Sequence, residues 1–183
     1  DGVGVKGNAN SIVSATITVL SYTVTAGYTA TMTFNALLTI AGNINIGANC
    51  TLAGTSGILS TATCTITSNG KVWNVLFQMS NAVTRTLVGN FTITGLFYHN
   101  NGSSATFNKT TTEELILSNI FPTSASCGIF GTATVRITGG VMDLVNCTLG
   151  GTIILNGNIV LTSVRVQGNF SYQSGSITGA RNI

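Results

Sequence analysis

The acidic residues are the first place to look for chemistry in this 183-residue chain, and there are only four: Asp1, Glu113, Glu114 and Asp143. Most glycosidases use two carboxylates that face one glycosidic bond. Glu113 and Glu114 are adjacent, so on a strand they would point to opposite faces. Asp143 has no evident partner in the sequence. The acidic residues therefore predict no catalytic pair.

The single histidine, His99, limits the remaining catalytic arrangements. Any Ser-His-Asp triad would have to use it, and the chain has no Gly-x-Ser-x-Gly turn around a nucleophile. The phosphate-binding pattern Gly-x-x-x-x-Gly-Lys-Ser/Thr is also absent. We predict that the protein is not an enzyme and binds no cofactor.

Four cysteines, Cys50, Cys64, Cys127 and Cys147, lack the Cys-x-x-Cys spacing that is typical of a zinc site. We therefore predict no metal site. The even count allows two disulfides, which an extracellular setting would permit. It equally allows four buried free thiols that pack as small apolar groups.

Charged side chains make up 6% of the chain, and none lies between Lys6 and Lys71. Ordinary globular proteins carry about 25%. Thr (30), Asn (19) and Ser (16) together supply over a third of the residues. A net charge of +3 provides no basic patch for a nucleic acid, and no apolar run is long enough for a transmembrane helix. We therefore expect no nucleic-acid partner and no insertion into a membrane. Copies of a chain with so few charges repel each other weakly, which favours packing of copies against one another.

Apolar and hydroxyl residues alternate along much of the sequence, for example in Ala15–Val19, Thr31–Phe34 and Thr61–Thr67. A period of two residues predicts strands with one buried face. Gly, Asn and Ser punctuate these runs and predict turns. The one candidate for a short helix, Thr111–Leu117, is predicted to be a turn followed by a strand. The expected class is all-β.

A looser repeat is present in the second half of the chain. Four segments share the pattern of one apolar residue, two small or polar residues and another apolar residue: Phe91–Tyr98, Glu114–Phe121, Val141–Leu149 and Ile159–Val166. Their anchor residues, Ile93, Leu117, Leu144 and Leu161, lie 24, 27 and 17 residues apart. An average in the low twenties corresponds to one coil of a β-solenoid.

These segments, over roughly residues 60–180, resemble the coils of right-handed parallel β-helix proteins. This is the pectin-lyase-like architecture of polysaccharide lyases, phage tailspikes and bacterial adhesins. The resemblance implies a parallel β-solenoid, but this chain lacks the clustered carboxylates that the enzymes of the architecture use. A β-sandwich is the alternative, because the first half would also suit tight hairpins.

A solenoid of roughly eight coils follows from about 21 residues per coil. We predict a solenoid domain at residues 36–183 and an N-terminal strand, cap or inter-subunit segment at residues 1–35. Cys127 and Cys147 lie about one coil apart, which would bring them within disulfide reach. Cys50 and Cys64 would need a shorter coil.

Tyr98, His99, Asn100 and Asn101 form the best candidate for a ligand-binding surface, where a predicted strand runs into a turn. Asn101 and Asn108 begin Asn-x-Ser/Thr sequons in the same turn-rich stretch and are the predicted glycosylation sites. The Thr-x-Thr pairs resemble those of ice-binding proteins. Their irregular spacing predicts, however, that the pairs do not stack on one face.

The near absence of charge at both ends of the chain predicts terminal coils with little protection against pairing. We therefore expect a structural subunit of an extracellular fibre, on a virion or a cell surface, that assembles with copies of itself. The alternative is an adhesin module that binds a cell-surface receptor or glycan. An ice-binding protein is the third hypothesis.

Overall fold

The computed structural model of the protein describes the backbone at residues 9–80, 83–99, 105–109, 114–117, 120–122, 127–131, 134–138, 140–142, 148–149, 152–157, 159–161, 165–166 and 169–178. Side chains are described at residues 9–80, 83–96, 114–116, 134–138, 152–157 and 169–178. Every regular element in this part of the chain is a β-strand, and the predicted all-β class is confirmed.

The strands are short, mostly of two to five residues. The first half of the chain contains β1 (Ser11–Val13), β2 (Ile17–Val19), β3 (Tyr22–Val24), β4 (Thr31–Phe34), β5 (Leu38–Ile40), β6 (Ile44–Ile46), β7 (Thr51–Gly54), β8 (Gly57–Ser60), β9 (Cys64–Thr67), β10 (Val72–Trp73), β11 (Leu76–Met79), β12 (Thr84–Val88) and β13 (Phe91–Ile93). The second half contains β14 (Phe97–His99), β15 (Ala105–Lys109), β16 (Leu115–Leu117), β17 (Ile120–Pro122), β18 (Cys127–Gly131), β19 (Thr134–Ile137), β20 (Gly140–Met142), β21 (Thr148–Leu149), β22 (Thr152–Asn156), β23 (Ile159–Leu161), β24 (Arg165–Val166), β25 (Asn169–Ser174) and β26 (Ile177–Thr178).

Three consecutive strands make one coil, and each strand of a coil lies on a different face. The first face holds β1, β4 and β7 in one sheet and every third strand from β10 to β25 in another. The second face is a nine-stranded sheet from β2 to β26, and the third is an eight-stranded sheet from β3 to β24. The described strands therefore form eight complete coils and two strands of a ninth, which confirms a β-solenoid of roughly eight coils.

All strand pairings between coils are parallel. A sandwich of hairpins would show antiparallel pairs, so the β-sandwich alternative is wrong. Coil length varies: Phe91 pairs with Leu115, 24 residues later, whereas Thr152 pairs with Asn169, 17 residues later. The differences are taken up mainly in the corners between strands, since the strand pairings stay in register apart from one shift at Leu155/Asn156 against β25.

The sequence anchors of the repeat are partly correct. Ile93 pairs with Leu117 on the first face, as their spacing predicts. Leu161 pairs with Met142 on the second face, so the prediction that it continues the Ile93 row is wrong. Corner lengths change from coil to coil. After one irregular corner, the spacing in residues therefore no longer indicates the face on which a residue lies. Leu144 lies outside the described residues.

The N-terminal strands belong to the same solenoid as the strands that follow them. Ser11 pairs with Met32, Ile17 with Leu38 and Tyr22 with Ile44, so β1–β3 form a first coil on top of β4–β6. Side-chain contacts hold this coil in place, since Asn10 Oδ1 accepts a hydrogen bond from the backbone N–H of Thr31 at 3.1 Å. The predicted boundary at residue 35 therefore does not separate two folds. As the terminal coil, β1–β3 still covers the core of the second coil.

Alternation decides which side chains fill the interior. In β4, β5 and β6 the buried residues alternate with Thr or Asn, and Phe34, Ile40 and Ile46 have no exposed surface. Equivalent inward positions stack from coil to coil, so the core is a continuous column of apolar side chains. Each buried Leu, Ile or Phe side chain stabilises the fold by about 1.5–3 kcal/mol relative to an exposed one.

The first face is interrupted once, between the third and fourth coils. Strand β7 ends one sheet and β10 begins the next, while the second and third faces run on through β8–β11 and β9–β12. Trp73, on the first strand after the interruption, is fully buried and packs edge-on against Phe77 at a centroid distance of 5.2 Å. Its indole Nε1 is the buried side-chain nitrogen that lacks a hydrogen-bond acceptor among the described residues.

Candidate functional site at the ends of the solenoid

The acidic residue that the structure describes, Glu114, is used to join coils. Its carboxylate Oε1 lies 2.5 Å from Nε of Arg136 on the next coil, and Arg136 also donates to Gln173 Oε1 at 3.1 Å. The pair is about one-third exposed, so it adds less than about 1 kcal/mol to stability. Glu113 and Asp143 lie outside the described residues. Sequence reasoning missed this cluster, because nothing in the spacing pointed to Gln173.

No group of three or more His, Cys, Asp or Glu side chains is placed to hold a metal ion in the part of the chain that the structure describes. None of the described stretches forms a helix that is long and apolar enough to cross a membrane.

The predicted ligand surface is only partly described. Tyr98 and His99 lie on β14, where their backbones pair with Phe121 and Pro122 of the next coil, but their side chains are outside the described set. Asn100 and Asn101 lie outside the described residues. Asn108 lies on β15, opposite Thr86 and without a described side chain. The ligand surface and the glycosylation sites at Asn101 and Asn108 therefore stay predictions.

Two of the four cysteines have described side chains, and both are free buried thiols. Cys50 donates to the carbonyl oxygen of Gly47 at 3.3 Å, and the Cys64 sulfur lies 3.5 Å from Ser60 Oγ. The Cys50–Cys64 disulfide is therefore absent: Cys50 directly precedes β7 on the first face, whereas Cys64 begins β9 on the third face. The Cys127 side chain and the whole of Cys147 lie outside the described residues, so a bridge between those two stays a prediction.

The third face carries a polar row of Thr and Asn over its first four strands. Its outward positions from β3 to β12, before Val88, are Thr23, Asn45, Thr65, Thr67, Thr84 and Thr86. Thr65 pairs directly with Thr86, and Thr23 is followed in register by Asn45 and Thr67. The Thr-x-Thr pairs themselves are out of register, since Thr65 and Thr67 lie opposite Thr86 and Val88. We call these six residues the polar row.

Among the described strands, those of the first coil have a neighbour on one side only. Strands β1, β2 and β3 each stand at the end of their sheet. Ile17 points inward, in register with the buried Leu38, yet it is 47% exposed. Ile12, 63% exposed, pairs with Thr33 at an outward position, and Leu20, 84% exposed, lies just after β2. Ile17 is thus a core-position side chain that reaches solvent at this end.

In the last described coil, two aromatic side chains in core register positions are also partly exposed. Strand β25 ends the first face, and its Phe170 and Tyr172 occupy the register positions of the buried Ile153 and Leu155. They are nevertheless 41% and 52% exposed. The exposure arises because no described coil covers them. Weak protection of the ends stays a prediction, and among the described residues these are the side chains on which it can be tested.

Comparisons with known proteins add no family to this description. A scan with protein-family models gave no match, and searches of curated proteins and of solved structures gave no significant match either. The fold and its exposed ends are therefore the observations on which a function can be argued.

Proposed function

We propose that the protein is a non-enzymatic structural subunit of an extracellular fibre or a virion surface appendage, and that it self-assembles through its ends and its uncharged faces. One observation carries the proposal: side chains in core register positions, Ile17 at one end and Phe170 and Tyr172 at the other, are exposed. Exposed core of this kind is normally covered by a polar cap or by another subunit.

Unpaired strand edges support the same proposal. Natural sheets protect their edges with charges, especially Lys, or with Pro. The described residues of the terminal coils, 9–24 and 169–178, contain neither charged residues nor Pro. The described edges of the first and second faces therefore lack these features, whereas β24, at the edge of the third face, carries Arg165. The tailspike, adhesin or fibre type of β-solenoid belongs to this proposal, as does an extracellular location.

Negative-stain electron microscopy with light scattering on the same sample tests the proposal. Nine coils at about 4.8 Å each give a subunit about 40 Å long. We expect filaments whose axial repeat is close to that length. We also expect the apparent molar mass from light scattering to grow with protein concentration. A sample that stays monomeric up to high concentration would contradict the proposal.

A second candidate function is binding of a receptor or a neutral glycan, and the polar row favours it. Its hydroxyl and amide groups recur every coil, at about 4.8 Å, on an uncharged face. We expect a glycan that binds the polar row to raise the melting temperature of the protein. The double variant Thr65→Val/Thr86→Val should not show this rise. The matched control is Thr31→Val/Thr51→Val, which removes a stacked pair from the first face. A shift that survives in the polar-row variant would contradict this candidate.

The ice-binding hypothesis uses the same row and differs in its measurement. It requires thermal hysteresis from the monomer, and loss of that hysteresis in the Thr65→Val/Thr86→Val variant.

A further inference from the structure

We propose that the C-terminal coil of one copy docks on the N-terminal coil of the next, so that copies join head to tail and their parallel sheets continue across the junction. This inference rests on the proposed function and adds to it the polarity of the contact. It names one partner, a second copy of this chain, and one pair of surfaces. These are the N-terminal end, formed by β1 and β2, and the C-terminal end, formed by the ninth-coil strands β25 and β26.

The direction of the strands supports this polarity. Every described pairing between coils is parallel and joins a strand to the one three positions further along the chain, with the interruption between β7 and β10 as the exception. The open edges of β1 and β2 therefore lie on the side where a preceding coil would sit, and those of β25 and β26 where a following coil would sit. One end of a second copy supplies two strands at once, on the first and second faces and in the same direction, while the described part of the third face ends one coil earlier, at β24.

The inward side chains at the two ends are complementary in size. Strand β25 lies on the same face as β1, and β26 on the same face as β2. Phe170 and Tyr172 would then cover the small Ser11 and Val13, whose register partners Met32 and Phe34 are buried. A tail-to-tail contact would instead press two copies of Phe170 and Tyr172 together and would make the strands antiparallel.

Electrostatics does not oppose the contact. No charged residue occurs in 9–24 or 169–178, so contact of β25 with β1 and of β26 with β2 brings no like charges together. Arg165 lies one coil earlier, on β24 of the third face. Burial of Ile17 under the partially exposed Ile177 adds apolar area on the second face, where β2 and β26 stand at opposite ends of one sheet. Unpaired parallel edges gain both hydrogen bonds and buried apolar surface from this geometry.

Two blocking variants test the polarity. Ile17→Arg places a charge on the N-terminal end, and Phe170→Arg places one on the C-terminal end. Both positions are partly exposed, so each variant is expected to fold, which circular dichroism and the melting temperature check. Val72→Arg is the matched control: Val72 is 45% exposed but lies on the side of the fourth coil, away from both ends.

The molar mass of each sample decides the outcome. We expect wild type and Val72→Arg to polymerise, each blocked variant to remain monomeric, and an equimolar mixture of the two blocked variants to form heterodimers and nothing larger. Dimers of Ile17→Arg alone would show a tail-to-tail contact and overturn the inference while leaving the proposed function standing. Loss of assembly in Val72→Arg would show a lateral contact and overturn it too. A monomeric wild type would overturn the proposed function itself.

A cross-linking measurement keeps the test decisive if a blocking variant does not fold. Val13→Cys and Tyr172→Cys are prepared as separate single variants, mixed and oxidised. We expect a disulfide-linked heterodimer that appears only in the mixture. A homodimer from Tyr172→Cys alone, with no heterodimer, would overturn the head-to-tail contact.

Discussion

Arg85 is the residue whose environment departs most from the pattern of the chain. It occupies an inward slot of β12 and has no exposed surface. Its guanidinium donates to the carbonyl oxygens of Ser60 at 2.8 Å, Val83 at 3.2 Å and Ser80, and its Nε donates to Ser60 Oγ at 3.0 Å. A planar group with five donors suits several carbonyls at one corner. Arg85 thereby ties β8, β11 and β12 together where the second face turns into the third.

Replacement of Arg85 by Met is expected to destabilise the fold by roughly 3 kcal/mol. A well-packed apolar residue can replace a buried ion pair without loss, but here the acceptors are backbone carbonyls that stay in place after the substitution. The midpoint of urea unfolding measures the effect. Thr84→Met, on the exposed neighbour, should change the midpoint little, and equal midpoints for both variants would contradict this account of Arg85.

Stability is expected to fall at alkaline pH because of Tyr22 and Cys50. Burial, with smaller effects from Cys50 and Tyr28, raises the pKa of the Tyr22 hydroxyl, which donates to the Met32 sulfur at 3.0 Å. Burial likewise raises the pKa of the Cys50 thiol. In the unfolded chain these groups ionise near pH 10 and pH 8.5. The unfolded state therefore binds fewer protons above those values, and the free energy of unfolding decreases as pH rises.

Urea titrations from pH 7 to 11 check this expectation. Tyr22→Phe should flatten the decline above about pH 10, and Cys50→Ala the decline that begins near pH 8.5. The readout is the slope of the free energy of unfolding against pH, since either substitution also changes stability at neutral pH. Slopes identical to that of wild type would show that neither group is protected in the folded state.

At the scale of the strands and corners, the sequence predicts the strands better than their register. Alternation in Thr31–Phe34 and Cys64–Thr67 is plain, and both are strands with one buried face. The register depends on corner length, which no local pattern specifies, so Leu161 was predicted on the wrong face. The first coil was predicted as a strand, cap or inter-subunit segment, because alternation such as that in Ala15–Val19 indicates a strand without specifying the sheet that the strand joins.

Close approach of successive coils makes Gly57 hard to replace. A Cβ atom at this position would lie 1.8 Å from the carbonyl oxygen of Leu76, the residue with which Gly57 pairs on the next coil. We expect Gly57→Ala to lower the free energy of unfolding by about 3 kcal/mol, because the backbone of β11 must move.

Gly27→Ala is the matched control for this substitution. No atom lies within 4 Å of the added methyl group, so we expect a change within about 0.5 kcal/mol. Chemical denaturation of both variants measures the difference. Equal stability of the two would show that the coils separate freely at Gly57.

At the scale of the whole molecule, composition predicted that the ends are weakly protected, but it did not indicate which side chains lie there. Sparse charge indicated weak protection, and the terminal coils carry no charge. Phe170 and Tyr172 could not be singled out in advance, because a residue in a core slot looks the same in the middle of a solenoid and in its last coil. Arg85 escaped prediction for the opposite reason, since a charged residue between two threonines suggests an outward face.

Assembly is expected to be insensitive to salt. Uncharged ends attract each other through apolar burial and hydrogen bonds, which an increase in ionic strength does not screen. Light scattering at NaCl concentrations from about 0.05 to 0.5 M should show association that does not weaken. A tenfold loss of association over this range would mean that charged groups hold the copies together.

The interruption between β7 and β10 has a mechanical consequence. When a copy is pulled along its axis, the ladders on the three faces share the load between neighbouring coils. At the junction of the third and fourth coils only the second and third faces carry it. A stretched subunit should therefore yield first at this seam, bending open on the two intact faces. Rupture there would bring Trp73 into contact with water, so a change in tryptophan fluorescence under load would report the event.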